Sequence, residues 1–149
     1  MRALLQRVTR AEVRVGDSTV GRIGPGLLVL LGVGHGDDDA TADALAKRIC
    51  ELRIFRDDEG RTNRSLLDAG GEALVVSQFT LYADTRRGRR PGFTDAADPE
   101  LARVLWRRVG SGIEAQGVRV AFGAFGEEMA VELVNDGPFT IWVDTADRS

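Results

Sequence analysis

The chain of 149 residues has one cysteine and one histidine. A lone Cys50 cannot close a disulfide within the chain, which suits a reducing cytoplasm. With His35 as the single imidazole, a His/Cys metal site built within one chain is excluded. No apolar run is long enough to cross a bilayer. Met1 to Arg10 alternates in character and carries Arg2, Arg7 and Arg10 where a secretory leader would need an apolar core. The expectation is a cytoplasmic protein without a membrane segment. Catalytic signatures are also missing. There is no Gly-x-Ser-x-Gly elbow, no Walker loop and no dinucleotide fingerprint. Gly32-Val33-Gly34-His35-Gly36 has the wrong spacing for a phosphate loop and reads as a strand-to-helix connection. His35 reads as an exposed loop residue rather than a general base. No metal or organic cofactor is expected.

A surplus of positive charge is lacking too. Lys and Arg number 20 against 23 Asp and Glu, giving a net charge of −3 and a pI near 5.2. Proteins that bind nucleic acid are usually basic overall. Clustering matters more than the sum, however. Arg86-Arg87-Gly88-Arg89-Arg90 places four cations within five residues. The acids gather elsewhere, in Asp37-Asp38-Asp39, Asp57-Asp58-Glu59 and Glu127-Glu128. A basic spot on an acidic body can hold phosphates, with strong salt dependence.

The length corresponds to about one domain, spanning 1–149. Arg2 to Val8 and Ala11 to Val15 read as strands, and Gly16-Asp17-Ser18 turns the chain into a returning arm, Thr19 to Ile23. Leu27 to Val33 is apolar on both faces and predicts a central strand. After a loop capped by Asp38 or Asp39, Ala42, Leu45, Ala46, Ile49 and Leu52 follow helical spacing. Arg53-Ile54-Phe55 is expected to re-enter a sheet, and Ser65 to Ala69 to hold a short helical turn ended by Gly70-Gly71. Ala73 to Val76 is a buried strand. Thr85 to Ala97 reads as a surface loop. Asp98-Pro99-Glu100 starts a second helix that Gly117 closes, with Gly110 and Gly112 as an earlier place for it to end or bend. Val118 to Phe122, Met129 to Val134 and Thr140 to Val143 are further strands, the last two expected as a hairpin around Asn135 to Phe139. This order predicts an α+β fold: a curved, barrel-like mixed β-sheet with two main helices packed on one side.

The stretch Ser77-Gln78-Phe79-Thr80 puts uncharged polar groups where the buried strand Ala73–Val76 should continue. Such groups are costly there unless hydrogen-bonded. On the residues alone, a strand end capping a local turn is the simpler reading. If the chain is a hydrolase, it lacks a protein nucleophile with a paired base. Two routes remain: Thr80 as an unassisted nucleophile, or main-chain N–H groups as an oxyanion hole with the substrate supplying the rest.

Ser77-Gln78-Phe79-Thr80-Leu81 and Asn135-Asp136-Gly137-Pro138-Phe139-Thr140 together resemble the D-aminoacyl-tRNA deacylases. The similarity extends to Arg7-Val8-Thr9-Arg10-Ala11, Gly26 to Val33 and Arg53-Ile54-Phe55. Arg90-Pro91-Gly92-Phe93 is similar to the family's Arg-Pro-Ser-Phe, with Gly92 in the place of serine, and Phe139 stands where valine is more common. The resemblance implies a homodimeric esterase that removes D-amino acids from tRNA and accepts mischarged glycyl-tRNA of alanine tRNA. It implies that Gly137-Pro138 has a cis peptide bond, enters the partner's site and rejects L-amino acids. It also places Ser77, Gln78, Phe79 and Thr80 at the tRNA 3′ end, where the main chain of Phe79 and Thr80 supplies candidate oxyanion donors and the ribose hydroxyl assists. Arg86, Arg87, Arg89 and Arg90 are then candidate phosphate contacts. Two rivals stay open: a non-catalytic RNA-binding module using the arginine loop, and a general small-ester hydrolase using Thr80.

Overall fold

The computed structural model describes residues 1–147. Its elements are strands β1 (Arg2–Val15), β2 (Ser18–Ile23) and β3 (Gly26–Gly32), helix α1 (Asp39–Glu51), strands β4 (Phe55–Arg56) and β5 (Thr62–Arg64), the short helix α2 (Leu66–Ala69), strand β6 (Glu72–Ser77), a 3₁₀ turn (Phe79–Tyr82), helix α3 (Pro99–Ala115), and strands β7 (Val120–Phe122) and β8 (Ala130–Asp144). The main sheet runs β2-β1-β3-β6-β7, and β8 pairs with β1. The β3–β6 and β6–β7 pairs are parallel and the others antiparallel, so the sheet is mixed. It curls until β2 meets β7: a Cβ on Gly21 would lie 2.4 Å from the Phe122 carbonyl oxygen. The barrel is therefore nearly closed.

Each face of the sheet buries its own apolar set, following the period of two. Ala3 and Leu5, Leu27, Val29 and Leu31, and Ala73 and Val75 pack under α1 and α3. Val8, Ala11 and Val13, with Leu28, Leu74 and Val76, fill the barrel interior. The central position of β3 agrees with its apolar character on both faces. Asp38 caps α1, accepting from Thr41 N–H at 2.9 Å. Ser65 caps α2, which ends at Gly70 in the left-handed region.

Several expectations from the sequence are corrected or refined. The segments Arg2–Val8 and Ala11–Val15 form one strand, with register shifts near Val8 taking up the irregularity. The strand expected at Arg53–Phe55 begins only at Phe55, and Phe55–Arg56 pairs with Thr62–Arg64 in a separate two-stranded ribbon. Helix α3 runs through Gly110 and Gly112 to Ala115. A Cβ on Gly110 would fall 2.2 Å from the Phe122 ring, and one on Gly112 2.8 Å from Ala46 Cβ. These glycines permit close packing, which outweighs their modest cost to the helix. Finally, Ala130–Val134 and Thr140–Val143 are not the arms of a hairpin. Both lie on β8 beside β1, where Gln6 pairs with Thr140 and Val8 with Asn135. Residues 136–139 bulge out opposite Arg7 alone.

Candidate active site

Strand β6 carries Ser77 to the sheet's end beside Leu31. Gln78 N–H still donates to the Leu31 carbonyl at 2.7 Å, after which the chain leaves the sheet and tightens into the 3₁₀ turn. The first N–H groups of such a turn have no partner within it. Those of Phe79 and Thr80 donate to no acceptor among the described residues. Gln78 Nε2 donates to Thr80 Oγ1 at 2.5 Å. An amide NH₂ cannot take a proton, so this contact orients the Thr80 hydroxyl without activating it.

Ser77, Gln78 and Phe79 line a cavity of about 700 Å³. Its other walls are the start of α3 (Pro99, Ala102), the segment Phe125–Met129, Val131 of β8, and Phe93. The Phe79 and Phe93 rings meet edge to face at 5.0 Å. That contact ties the arginine loop to the cavity rim. Asp98, Glu127 and Glu128 are exposed at the rim and give the mouth a negative side. Trp106 anchors α3 behind it, donating from Nε1 to the Val75 carbonyl at 3.2 Å.

Gly137 and Pro138 do not line this cavity. They sit exposed on the bulge of β8, joined by a cis peptide bond. The bulge is fixed from within. Arg7, only 2 % exposed, donates from Nη1 to the Ile54 carbonyl at 2.6 Å and from Nε to the Asp136 carbonyl at 3.2 Å. Its guanidinium lies 4.3 Å from the Phe139 ring centre. Asn135 Nδ2 donates to the carbonyls of Arg7 and Phe139. Arg56 grips the Asp136 carboxylate with two nitrogens at 3.0 and 3.1 Å. The Arg56 hydrogen bonds, aided by the charges of Arg7 and Arg56, outweigh desolvation and lower the Asp136 pKa.

In the arginine loop, Arg86 folds back on Asp84 through two nitrogens. It lowers the Asp84 pKa to about 2. Arg87, Arg89 and Arg90 are exposed and meet no carboxylate among the described residues. The loop closes where Asp84 and Gly92 exchange main-chain hydrogen bonds at 2.7 and 2.9 Å. His35 is exposed and rests its Nε2 against the Thr94 carbonyl. Burial pushes the Cys50 thiol up to about 11, so it stays protonated and unreactive near neutrality. No cluster of three or more His, Cys, Asp or Glu suited to a metal occurs among the described residues.

Several parts of this site were not foreseen. Ala102, Phe125, Met129 and Val131 carry no chemical signal in the sequence that sets them apart from core residues. Arg7 did leave a signal: it occupies the inward phase set by Ala3 and Leu5, where a charge must be held by fixed partners.

Comparison with known proteins bears on the chain as a whole. The family model described as D-Tyr-tRNA(Tyr) deacylase matches residues 4–144. A D-aminoacyl-tRNA deacylase of Roseiflexus sp. (strain RS-1) is 62% identical over 146 residues, covering 98% of this chain and 94% of the relative. That of Paracoccus denitrificans (strain Pd 1222) is 57% identical over 149 residues, covering 100% of both. Among solved structures, the c-Myc DNA Unwinding Element Binding Protein superposes with a TM-score of 0.91 at 36% identity, covering 97% of this chain and 99% of that one.

Proposed function

Because this chain belongs to the D-Tyr-tRNA(Tyr) deacylase family and is accordingly a hydrolase of D-aminoacyl-tRNA, we propose that it cuts the aminoacyl ester by positioning and electrostatics, with the terminal ribose hydroxyl of the RNA activating the water. The carrying observation is the pair of unpartnered N–H groups at Phe79 and Thr80, which open the 3₁₀ turn where Phe79 lines the cavity and Thr80 follows directly after it. They suit the oxyanion that forms when water adds to the ester carbonyl. Collapse of that adduct expels the ribose oxygen, which takes up a proton, and frees the D-amino acid. Thr80 has no base beside it, since Gln78 presents a donor to its oxygen. This favours the substrate-assisted route over a nucleophilic threonine.

The working unit in this reading is a homodimer. Gly137 and Pro138 of one protomer enter the cavity of the other. Their exposure, their place outside their own cavity and the fixed posture of the bulge support this. Val134 and Trp142, large apolar residues exposed on either side of the bulge, supply surface for the contact. A stiff main-chain wall excludes the side chain of an L-amino acid by collision and reads no side chain of a D-amino acid. Selectivity then comes from rejection. Glycine has nothing to collide, so mischarged glycyl-tRNA of alanine tRNA is accepted as well. Arg87, Arg89 and Arg90 meet phosphates of the tRNA, and Arg86 holds the loop through Asp84.

The test follows deacylation of D- and L-aminoacyl-tRNA charged with the same amino acid. D-specific cleavage is expected. A pure binding module would cleave neither, and an unselective esterase both. In the same assay Thr80→Ala should retain kcat within about tenfold, because loss of a true nucleophile costs about 10⁴-fold or more. A folded, tRNA-binding Thr80→Ala variant without turnover would restore the nucleophilic role. Neutralising Arg87, Arg89 and Arg90 together should flatten the salt dependence of tRNA affinity by about 0.9 log units per log unit of salt for each duplex phosphate released. An unchanged slope removes the loop from the tRNA interface.

A further inference from the structure

We infer that a groove along α3, floored by aromatic rings and carrying Arg103 and Arg107, binds the phosphodiester backbone of the unpaired nucleotides that precede the acylated terminus. This rests on the reading above and extends it to how the RNA strand leaves the site. A depression of about 310 Å³ lies between Arg103, Trp106, Arg107, Gly123 and Phe125. Phe125 also lines the large cavity, so the two hollows adjoin across one ring. A strand whose 3′ end sits in the cavity has a continuous surface to follow.

The two guanidinium groups are set for anions. Arg103 lies over Phe125 at 5.0 Å, and Arg107 over Phe122 at 4.1 Å and Trp106 at 5.6 Å. Stacking on rings holds the planar groups while their N–H edges stay free. Both residues are exposed, and neither meets a carboxylate among the described residues. Most other arginines of the fold are committed: the next residue on the helix, Arg108, is held by Asp43 and Asp39. Arg103 and Arg107 are four residues apart on α3, about 6 Å along the axis, which is close to the separation of adjacent phosphates on a single strand. The charge pattern also sets direction. Glu127 and Glu128 stand at the cavity rim, and a polyanion is driven from them toward the arginines. Guanidinium groups stacked on aromatic rings beside a cavity fit the way single strands are held, by backbone charge and by stacking surfaces.

The experiment measures KM and kcat for D-aminoacyl-tRNA between 50 and 200 mM salt, for the parent, for Arg103→Gln/Arg107→Gln and for Arg103→Lys/Arg107→Lys. Two single-strand phosphates released lower the salt slope by about 1.4, so the rise of KM across that range should be about sevenfold smaller in the glutamine pair, with kcat unchanged. The lysine pair should restore most of the slope. An unaltered KM and slope in the glutamine pair overturns the inference. So does a raised KM that lysine fails to rescue with no change of slope, because that effect would come from packing against Trp106, Phe122 and Phe125. If the parent itself does not cleave D-aminoacyl-tRNA, the catalytic reading has failed instead, which binding of uncharged tRNA to the same variants tells apart.

Discussion

Replacing Arg7 with alanine is expected to destabilise the fold by about 2 to 5 kcal/mol, from two carbonyls left without donors at about 1 to 3 kcal/mol each, and to loosen discrimination between D- and L-aminoacyl-tRNA. The side chain is 2 % exposed and serves three partners. It donates to the carbonyls of Ile54 and Asp136 and lies 3.2 Å from the Asp136 carboxylate. Without it, two carbonyls lose their donors and a cavity opens beside Phe139. Arg56 still holds the Asp136 carboxylate from the solvent side, so the bulge stays near β1 but is no longer fixed. In a wall that acts by collision, slack of this kind admits the wrong hand. Chemical denaturation and the paired D/L assay read the two effects separately. Arg7→Lys keeps a charge but lacks the fork that reaches both Ile54 and Asp136, so it should recover part of the stability and less of the selectivity. A variant with parental stability and full rejection of L-aminoacyl-tRNA would show that the posture of residues 136–139 is set elsewhere.

The importance of Arg7 illustrates what local sequence conveys and what it leaves out. Asn135-Asp136-Gly137 between two alternating apolar segments has the signature of a hairpin turn. Nothing within ten residues says otherwise. The decision lies with β1, whose length lets both segments pair along one neighbour, and with Arg7, which holds the displaced loop from a distance of 129 positions in sequence. Helix α3 makes the same point. Gly110 and Gly112 weaken a helix considered alone, yet they sit where the Phe122 ring and Ala46 leave no room for a side chain. By contrast, α1 was legible because its signals are local: Asp38 caps it and its apolar stripe has the proper period. The candidate site divides along the same line. The polar end of β6 announces itself, because Ser77, Gln78 and Thr80 interrupt a buried strand. The walls contributed by Ala102, Phe125, Met129 and Val131 do not, since an apolar residue facing a cavity and one facing the core look alike in sequence. Family resemblance marked Gly137 and Pro138, which the single chain places outside its own cavity.

The Phe79 N–H can be tested apart from the Phe79 side chain. Phe79 opens the 3₁₀ turn, and its N–H has no acceptor among the described residues. Proline is well tolerated at the first position of a helical turn, where no hydrogen bond is lost and φ is already suitable. The preceding Gln78, at φ −144° and ψ 78°, lies outside the helical region that proline disfavours in its neighbour. Phe79→Pro should therefore fold, and its main chemical change beyond loss of the ring is loss of one donor. The ring is 54 % exposed and packs on Phe93; Phe79→Ala removes the same ring and keeps the donor. If the N–H stabilises the oxyanion, kcat of the proline variant should fall about 10²- to 10³-fold below that of the alanine variant, the usual cost of one oxyanion donor. Affinity for uncharged tRNA should be alike in the two, since the donor acts on charge that develops only as water adds to the ester. Equal kcat values would remove Phe79 N–H from the oxyanion hole and leave the task to Thr80 N–H or to the RNA. A matching fall in tRNA affinity would instead mean that proline had displaced the turn. Comparing the two variants at saturating substrate separates a donor to the transition state from a prop for the pocket wall.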